Sequence, residues 1–439
     1  MKQKFISIQE AMNKKSGIVS VRGWVHRERG SNKFKFVVLR DTSNIIQCIF
    51  KRENFNEKQW GEIDSLKIEY SITLTGKISQ DKRAPTGFEI DVKEFKVIGK
   101  AEDFPINKDL NEELLGDRRH LWLRSQKMIA IMKIRSTVFG AIHEYFRKEK
   151  FYEHQSPMLL GAAGESGSEV FEVNYFGKKM YLAQTWQLHA EAMIFALDKI
   201  YTIAPSFRAE KSKTSRHLTE YWHAEMEVAW TDFKSLQDYG ENLLKNIVKK
   251  VLTENKLELK ILNRNTKILE ATAKKKFPRM TYTDALKILK EKCKMDVAWG
   301  KDLRTIEEDN ISKLYDTPII ITDYPKKVKA FYMKESSETI NKSDDKKTVQ
   351  GFDMIAPEGY GEIIGASQRE ENIDVIKENL KREGEDLKKY EFYFDTRRYG
   401  SVPHGGFGMG VERVISWICG LDTIKDAIAF PRTMTRTSP

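Results

Sequence analysis

Positively charged side chains cluster in one short polar stretch of the chain. The segment PSFRAEKSKTSRHLTEYWHAEMEVAW, residues 205–230, carries Arg208, Glu210, Arg216 and His217 between two apolar runs. Apolar runs on both sides of a polar loop predict an antiparallel hairpin, with the cations where the chain reverses direction. Because arginine presents a planar fork of donors to phosphate oxygens, such a loop could wrap a phosphate chain. The alternative is a solvated, lysine-rich hairpin tip without a ligand.

A second stretch combines glycines with the start of a helix. The segment HGGFGMGVERVISWICGLDTIKDAIAFPRT, residues 404–433, has a glycine-rich start ending at Gly410, followed by Glu412 and Arg413. Glycine lets a backbone approach a flat ligand closely, and the apolar run that follows predicts a helix. The stretch matches neither the P-loop pattern nor a strand-led Rossmann fingerprint, so both sites are disfavoured. An ordinary strand-to-helix turn is the alternative.

Two differently patterned regions must position these segments. Between residues 18 and 100, β-rich runs alternate with a period near two, which predicts a small barrel or sandwich, with an oligonucleotide-binding barrel as one candidate. The alternation is lost over residues 101–120, which we interpret as a linker. Residues 121–439 alternate between helical and strand patterns, beginning with a long amphipathic helix, and a helical insertion is expected within about 236–350.

The composition bounds the class of protein. The 439 residues include 75 Lys plus Arg against 64 Asp plus Glu, a net charge of +11. That balance suits a polyanionic partner such as nucleic acid, although a merely Lys-rich protein would share it. The cysteines form no CxxC and the histidines no HExxH, so neither a disulfide framework nor a zinc site is supported. No apolar run is long enough to span a membrane and the first residues lack a signal-peptide core, so we expect a cytoplasmic protein.

The two chemistry-bearing segments together resemble a known family. FRAE followed by SRHLTEYW, and GFGMGVER ending in FPRT, resemble the second and third signature motifs of the class II aminoacyl-tRNA synthetases. EKFYEHQSP resembles their first motif, which in the family forms a dimer interface, and the barrel resembles the anticodon-binding domain of the aspartate, asparagine and lysine subclass. The resemblance implies an α+β fold and a homodimer. An OB-fold barrel over residues 1–100 would precede a catalytic domain built on an antiparallel sheet flanked by helices.

The resemblance also bears on the amino acid that is activated. An aspartate side chain needs a cation, whereas an asparagine amide both donates and accepts hydrogen bonds. Aspartyl enzymes have a segment resembling QSPQLYKQ whose lysine meets the substrate carboxylate, and here QTWQLHAE, which contains Gln187, has Ala190 in that place. Glu225 replaces the usual Asp of the aspartyl branch, and Arg369 would donate to the side-chain oxygen in either branch. The resemblance therefore favours L-asparagine, with Glu169 taking the substrate ammonium group.

The nucleotide chemistry follows from the same resemblance. Asparagine would attack the α-phosphorus of ATP to give asparaginyl-adenylate and pyrophosphate, and tRNA(Asn) would then take the acyl group on its terminal ribose hydroxyl. No protein nucleophile is needed, since positioning and charge neutralisation carry such a displacement. The ATP-binding residues implied are Arg208 at the α-phosphate, Arg413 at the γ-phosphate, Arg216 and His217 at the bent triphosphate, Glu210 and Tyr221 at the adenine, and Glu362 and Gly410.

Magnesium is the cofactor that the resemblance implies. Glu362 would join it to the phosphates, with Asp353 as the second candidate ligand. Related aspartyl enzymes have a serine ligand three residues after that glutamate, and this chain has Gly365 there, so its metal ligands depart from the pattern. A structural salt bridge is the alternative for each carboxylate.

In the barrel, the resemblance implies residues that read the anticodon. Phe36 in KFKF and Gln47 in NIIQCIF match residues that stack on and hydrogen-bond the middle base, and Glu89 in GFEIDV is a candidate for the first base. A stacked aromatic contributes about 1–3 kcal/mol per base. An alternating aromatic is more often a core residue, which is the alternative for Phe36.

Other functions are compatible with the same motifs. A non-discriminating aspartyl-tRNA synthetase would share the nucleotide-binding residues, and Ala190 would then be a neutral change on a helix surface. A tRNA-independent asparagine synthetase would share the catalytic core without needing the barrel. A non-catalytic nucleic-acid-binding paralogue would not need Arg208, Glu362 or Arg413. The sequence assigns no residue to the third anticodon base.

Overall fold

The alternating N-terminal runs fold into a closed barrel of five strands. The computed structural model describes residues 4–106, 111–161, 170–210 and 216–439, and the chain divides into two units, Met1–Arg118 and Arg119–Pro439. The elements of the first unit are α1 Ile8–Lys14, β1 Gly17–Gly30, β2 Phe34–Arg40, β3 Ile45–Lys51, α2 Glu57–Asp64, β4 Ser71–Gln80, β5 Phe88–Gly99 and α3 Glu112–Asp117.

Strand alternation builds the barrel core. The strands pair in the order β1-β2-β3-β5-β4; β3 and β5 are parallel and the other pairs antiparallel. Val37 and Leu39 are fully buried inside the barrel, while Phe36 and Val38, which alternate with them, are half-buried on its outer face. The predicted OB-fold barrel is confirmed.

Three short helices in this unit are not predicted by the periodicity. α1 and α2 are too short to show a helical repeat, but each begins with a capping box, Ser7 with Glu10 and Asn56 with Gln59. α3 lies inside the stretch interpreted as a linker, and its N-cap is Asn111. Polar capping pairs were therefore the only local signal for two of these helices.

The second unit is organised around a large sheet. Its elements are α4 Arg119–Trp122, α5 Gln126–Lys148, β6 Tyr152–Glu153, β7 Leu159–Leu160, β8 Glu172–Tyr175, β9 Lys178–Leu182, α6 Gln187–Leu197, β10 Lys199–Phe207, β11 Glu220–Ala229, α7 Phe233–Glu254, α8 Lys256–Ile261, α9 Lys267–Lys274, β12 Arg279–Thr281, α10 Tyr282–Cys293, α11 Thr305–Ser312, β13 Ile319–Thr322, β14 Gly351–Ala356, β15 Gly361–Gln368, α12 Ile373–Arg382, α13 Glu391–Arg398, β16 His404–Gly410 and α14 Val411–Cys419. The sheet order is β12-β13-β14-β15-β16-β11-β10-β6, and β7, β9 and β8 form a small separate sheet. Only the two outermost pairs of the large sheet are parallel. The predicted antiparallel sheet flanked by helices is confirmed.

One face of the large sheet carries the hydrophobic core. Ala224 and Met226 on β11 and Phe407 and Met409 on β16 are buried in the same cluster as residues of α5, α7 and α14. Successive side chains of a strand point to opposite faces. The residues between these core positions therefore line the other face, where a site can form.

The predicted amphipathic helix is α5. Ile131, Ile134 and Val138 are fully buried, as their helical spacing predicts. The helix begins after Ser125, whose side chain accepts from the Met128 N–H, so α4 is a separate short helix in front of it.

The region predicted as a helical insertion contributes more than helices. Residues 236–350 contain α8 to α11 and most of α7, but β12 and β13 lie in the large sheet. β13 is a four-residue run that is buried throughout, and periodicity cannot distinguish so short a run from a buried helix segment. The region is therefore part of the sheet and is not inserted beside it.

The three cysteines are free thiols; Cys48 and Cys419 are buried and Cys293 is partly exposed. Burial raises the pKa of the Cys48 and Cys419 thiols. No helix in the described ranges combines the length and apolarity needed to cross a bilayer.

Candidate active site

The cation-rich segment forms the predicted hairpin. β10 and β11 pair antiparallel, from Lys199 opposite Val228 to Phe207 opposite Glu220. Immediately after β10, the Arg208 backbone N–H donates to the Thr219 carbonyl at 3.0 Å, which closes the base of the connecting loop. Arg208 and Arg216 thus lie at the end of a regular two-stranded ribbon.

A row of polar side chains runs along the open face of β11. Tyr221, His223, Glu225 and Glu227 occupy alternate positions, opposite to the core residues between them. Tyr221 and His223 meet edge to face at 5.5 Å between ring centroids. The row therefore leads from an aromatic end near the loop to two buried carboxyl groups.

Between Gly406 and Gly410, the neighbouring strand β16 offers only backbone to this face. Gly406 pairs with Glu227, Gly408 with Glu225 and Gly410 with His223. A Cβ atom on Gly408 would overlap the imidazole of His223, and one on Gly406 would overlap the Glu227 carboxylate and a main-chain carbonyl. Glycine is therefore required here so that the side chains of β11 can lie across β16. The apolar run after the glycines forms α14, the helix that the sequence predicts there.

An open cavity of about 600 Å³ lies at the aromatic end of this row. Its lining consists of Arg208, Glu210, Arg216, His217, Leu218, Tyr221, His223, Glu362, Ile363, Gly408, Gly410, Glu412, Arg413 and Ile424. Every residue that the resemblance assigns to ATP is in this set. Three segments that are distant in the sequence, within residues 208–223, 362–363 and 408–424, thus build one chamber.

Aromatic and charged groups of the loop face each other across the cavity. The Arg208 guanidinium carbon lies 5.7 Å from the centroid of the Tyr221 ring. Arg208 Nη1 is 4.0 Å from Glu210 Oε1, and His217 Nε2 is 3.5 Å from Glu210 Oε2. Burial, and after it the positive charge of Arg413, lowers the pKa of His217. The loop thus presents a flat ring, a carboxylate acceptor and fixed cations to one volume.

The two other arginines of the cavity differ in how they are held. Arg413 Nη1 donates to the Glu362 carbonyl at 2.8 Å and lies 3.6 Å from Glu362 Oε2. Arg216 Nη2 donates to Asp309 Oδ1 at 2.7 Å and also to the Gly359 carbonyl. Arg216 thus lines the cavity while part of its guanidinium is bound to the protein.

Glu412 has a structural role that the sequence did not reveal. It is buried, and it accepts from Arg135 Nη1 at 2.7 Å and from the Trp222 backbone N–H at 2.9 Å. It therefore joins α14, α5 and β11 behind the cavity. A glutamate in the first turn of an apolar helix was the available signal, because such a carboxylate is rarely buried without partners.

Three carboxyl groups approach one another beside the cavity. A Cβ atom on Gly365 would lie 2.8 Å from Glu362 Oε1 and 3.8 Å from Asp353 Oδ1, so both carboxylates lean over this glycine. Burial, together with the negative charges of Glu362 and Asp353, raises the pKa of Glu308 to about 8. Crowding of this kind favours a bound cation. Glu308 on α11 was not predicted from the sequence.

Part of this negative charge is compensated by the protein itself. Lys329 Nζ lies 2.7 Å from Asp353 Oδ2, which leaves Glu362 as the carboxylate that faces the cavity. Across the described ranges, no three Asp, Glu, His or Cys side chains are close enough to enclose a metal by themselves. Mg²⁺ is commonly held by one or two carboxylates together with phosphate oxygens, so this donor set fits it. A side chain at position 365 would displace Glu362.

Glu225 lies at the start of α6. Its carboxylate accepts from Thr185 Oγ1 at 2.5 Å and from the Trp186 backbone N–H at 3.0 Å, and it lies 3.2 Å from His223 Nδ1. Burial would raise the pKa of Glu225, but His223 and these hydrogen bonds outweigh it and lower the pKa. The carboxylate is therefore ionised and fixed. Its Oε1 faces both the Trp186 N–H and His223 Nδ1, whereas its Oε2, which accepts from Thr185, has a second lone pair for a ligand.

Ala190 is fully buried among apolar side chains, including Trp186 and Ile194. The interpretation of Ala190 as a neutral change on a helix surface is therefore wrong. In the described part of the chain, no lysine pairs with Gln187 or with the buried glutamates nearby. Glu169, the candidate for the substrate ammonium, lies outside the described residues.

Arg369 belongs to a buried polar network that the sequence did not reveal. Its Nε donates to Glu227 Oε1 at 3.1 Å, its Nη2 also contacts that carboxylate, and its Nη1 donates to Ser367 Oγ at 2.7 Å. Behind it lie further buried polar residues, which are Gln187, Glu191, Tyr393, Arg397 and His404. No local spacing could predict this network, since its members are up to 217 positions apart.

The predicted anticodon residues share one face of the barrel. Gln47 is opposite Glu89 across the parallel β3–β5 pair, and Gln47 Nε2 donates to Glu89 Oε2 at 3.2 Å. Gln47 is also opposite Val38, whose neighbour on the same face is Phe36. The Arg29 guanidinium carbon lies 5.0 Å from the Phe36 ring centroid. Phe36 is half-buried and is not a core residue.

Comparisons with known proteins agree with this geometry. The family described as tRNA synthetases class II (D, K and N) matches residues 111–434, and an OB-fold nucleic acid binding domain matches residues 19–98. Proteins named asparagine–tRNA ligase from Thermoplasma acidophilum and Lactobacillus johnsonii are 46% and 40% identical, with 96% and 99% of both chains covered. A crystal structure of asparaginyl-tRNA synthetase from Pyrococcus horikoshii with asparaginyl-adenylate has a TM-score of 0.93 at 40% identity, covering 99% of this chain and 100% of that one.

Aspartyl enzymes share the architecture at lower identity. An aspartyl-tRNA synthetase from Entamoeba histolytica is 22% identical with a TM-score of 0.84, a likeness of fold alone. Three findings agree on the family. The barrel matches the OB-fold family, most of the remaining chain matches the class II family, and full-length relatives are 40% or more identical. The chain belongs to the class II aminoacyl-tRNA synthetases of the aspartate, lysine and asparagine group.

Proposed function

We propose that this protein is an asparagine–tRNA ligase, which activates L-asparagine with ATP to asparaginyl-adenylate and pyrophosphate and transfers the acyl group to tRNA(Asn). The observation that carries the proposal is the wall of the amino-acid site. Buried Ala190 stands where the aspartyl pattern has a lysine, so a substrate carboxylate would lack that cation. The names of the relatives and the asparaginyl-adenylate in the Pyrococcus structure support the same choice.

The nucleotide is held by the loop and by the start of α14. Arg208 at the α-phosphate neutralises charge between the attacking carboxylate and the phosphoryl oxygens, and Arg413 holds the γ-phosphate. Tyr221 stacks on the adenine and Glu210 accepts from its amino group. Gly410 allows the ligand to approach the backbone, and His217 lies beside the triphosphate. Catalysis consists of positioning and charge neutralisation without a protein nucleophile.

Arg216 has a secondary role in this scheme. Its bonds to Asp309 and to the Gly359 carbonyl fix its guanidinium at the rim of the cavity. There it adds positive charge near the triphosphate. We assign it to ATP binding, with a smaller contribution than that of Arg208 or Arg413.

The amide of the substrate is read by fixed groups of both polarities. Glu225 is the acceptor for the carboxamide N–H, since it is ionised and held by Thr185 and Trp186. Part of the Arg369 guanidinium is bound to Glu227 and Ser367. Its remaining N–H groups donate to the carboxamide oxygen. Gln187 lies at the edge of this site, and Glu169 takes the substrate ammonium.

Magnesium supplies charge neutralisation at the phosphates when it is bound. Glu362 is its principal protein ligand, with Asp353 as the second carboxylate and no ligand from position 365. Glu362 also orders Arg413, whose Nη1 donates to the Glu362 carbonyl.

The first unit binds the anticodon. We place Phe36 and Gln47 at the middle base and Glu89 at the first, because they lie together on one outer face of the barrel. In this scheme residues 1–100 form the anticodon-binding domain, 101–120 the connection and 121–439 the catalytic domain. The protein acts in the cytoplasm, where its tRNA substrate is charged.

The active form is a homodimer. β6 is the edge strand of the large sheet, and Tyr152 on it is 59% exposed. It belongs to the segment that resembles the first signature motif. An edge strand offers unpaired backbone groups to a second chain, so a symmetric partner can pack there.

The test is ATP–pyrophosphate exchange with asparagine and with aspartate at saturating ATP and Mg²⁺. We expect kcat/KM for asparagine to exceed that for aspartate by roughly a hundredfold or more. The reason is that desolvating the aspartate carboxylate costs free energy that no lysine in this buried site compensates. Exchange dominated by aspartate would identify an aspartyl enzyme. Formation of free asparagine without tRNA would identify a synthetase of a different kind.

A further inference from the structure

Glu191 is the most heavily hydrogen-bonded carboxylate near the amino-acid site. It is completely buried on α6, next to Ala190. Gln187 Nε2 donates to its Oε1 at 2.8 Å. Its Oε2 accepts from Arg397 Nη2 at 2.6 Å and from the Tyr393 hydroxyl at 2.7 Å, and lies 3.1 Å from His404 Nε2. Both oxygens are thus fixed by donors from three separate elements.

These donors keep Glu191 ionised. Burial alone would raise the pKa of the carboxyl group, but Arg397, and then His404 and Arg369, outweigh it and lower the pKa. His404 is a further fixed neighbour of this carboxylate, because its Nδ1 lies 2.7 Å from the Val402 carbonyl and its Nε2 lies 3.1 Å from Glu191 Oε2. A permanent negative charge is therefore built into the wall behind the substrate.

Arg397 is anchored so that it cannot leave this carboxylate. Its Nε donates to the Glu370 carbonyl at 3.1 Å and its Nη1 donates to Thr396 Oγ1 at 2.8 Å. Its guanidinium carbon lies 4.2 Å from the centroid of the Tyr393 ring. The Glu191–Arg397 pair is thus a rigid unit between α6 and α13.

The pair adjoins the arginine that reads the substrate. Arg369 Nε lies 3.8 Å from Glu191 Oε1 and on its other side Arg369 is bound to Glu227. A substrate carboxylate that accepts hydrogen bonds from the remaining Arg369 N–H groups would lie a few ångströms from Glu191. Charges in such a buried setting are weakly screened. The charge of Glu191 therefore acts on whatever Arg369 holds.

We propose that Glu191 is a positioning residue for amino-acid selection: held by Arg397 and Tyr393, its negative charge offsets the positive charge around Arg369, so that the site accepts a neutral carboxamide and rejects a carboxylate. The inference rests on the proposed function and adds a repulsive element to it. Discrimination against a near-isostere can use a repulsive element in addition to contacts that favour the correct substrate.

Two substitutions test the proposal in ATP–pyrophosphate exchange with the full chain. Glu191→Gln keeps the shape and removes the negative charge, so the ratio of kcat/KM for asparagine to that for aspartate is expected to fall about tenfold or more. Arg397→Met removes the cation that does most to keep Glu191 ionised, so this carboxyl group loses its charge and the same ratio is expected to fall as well. A purely structural role would lower both activities together and leave the ratio unchanged in both variants. That result would overturn the proposal.

The ratio is measured within one preparation, so a smaller folded fraction cancels from it. If Glu191→Gln does not fold, the direction of the change in Arg397→Met decides alone. The matched control is Glu241→Gln. It removes a buried carboxylate on α7, away from the site, that is paired with Arg279 on β12. The ratio of the two kcat/KM values in this variant is expected to equal that of the wild type. Wild-type exchange that does not depend on asparagine would refute the proposed function, whereas normal exchange with an unchanged ratio in both variants refutes only this inference.

Discussion

At the scale of single residues, the site uses one residue type in several ways. Arg208 and Arg413 face the nucleotide cavity, whereas Arg216 is held by Asp309 and by a carbonyl, and Arg369 is bound to a buried glutamate. All are arginines in or near the signature segments. The partners of each arginine, and not the residue type, determine which guanidinium groups can neutralise the charge of a ligand.

Replacing Arg208 by lysine tests the most exposed of these roles. Arg208→Lys keeps the charge but loses the planar fork that spans two oxygens, so kcat for ATP–pyrophosphate exchange is expected to fall about 10²-fold. The thermal midpoint should stay close to that of the wild type, because Arg208 is only half-buried. Arg216→Lys is the matched comparison in the same loop, and its loss should be smaller. A larger loss in Arg216→Lys would reverse the assignment of the two arginines.

At the scale of elements, the site depends on two adjacent strands, of which one carries polar side chains and the other carries glycines. β11 supplies the side chains, and β16 supplies glycines over which those side chains lie. Each strand follows the alternation that puts its other residues into the core. The same packing that stabilises the sheet thus fixes the row of functional groups.

Gly406→Ala is expected to destabilise the catalytic unit. The added methyl group would overlap the Glu227 carboxylate and a main-chain carbonyl of β11, which cannot move independently, so the free energy of unfolding should fall by about 2–3 kcal/mol. Urea denaturation followed by circular dichroism measures it. Gly140→Ala on α5 is the control, because its Cβ would meet no atom within 4 Å and a helical alanine should leave stability unchanged or slightly higher. Equal stability of Gly406→Ala and the wild type would contradict the close approach of β11 and the Glu227 side chain to Gly406.

Much of the fold was accessible from the sequence because its signals are local. The period-two runs of the barrel, the helical spacing of Ile131 and Ile134, and the hairpin around Arg208 each depend on a few neighbouring residues. Local signals failed where elements are short. The four-residue β13 shows no period, and α1 is marked only by its Ser7 cap.

The amino-acid site was only partly predictable for a different reason. Ala190, Glu225 and Arg369 could be named because a resemblance assigned them, but their burial and partners could not. Glu191 pairs with Arg397 and His404 more than 200 positions away. Such contacts exist only after the sheet and α13 have packed together, so no spacing in the sequence encodes them.

At the scale of the whole molecule, the chain pairs a catalytic unit with a barrel that can act on a different part of the same substrate. Each unit has its own hydrophobic core. The net charge of +11 suits a polyanionic partner such as tRNA. In the proposed function, activation of the amino acid depends on the catalytic unit, whereas transfer to tRNA also depends on the barrel.

Phe36→Ala is expected to separate these two steps. Loss of one stacked base costs about 1–3 kcal/mol, so KM for tRNA in aminoacylation should rise by roughly tenfold, while ATP–pyrophosphate exchange without tRNA stays at the wild-type rate. Phe36→Trp keeps a flat ring and should restore most of the affinity. An equal loss in exchange would mean that the barrel substitution had disturbed the catalytic unit, and unchanged KM for tRNA would remove Phe36 from the anticodon site.

The glycines of β16 bear on how such an enzyme can diverge. No substitution at Gly406 or Gly408 can retune the floor of the groove, since any added atom closes it. Heritable variation in substrate choice must therefore arise in the side chains around these glycines, on α6, α13, β11 and β15, while the glycines themselves pass unchanged from ancestor to descendant. Duplicated copies of a gene with this architecture can acquire new amino-acid preferences through few codons and still inherit the same nucleotide chemistry.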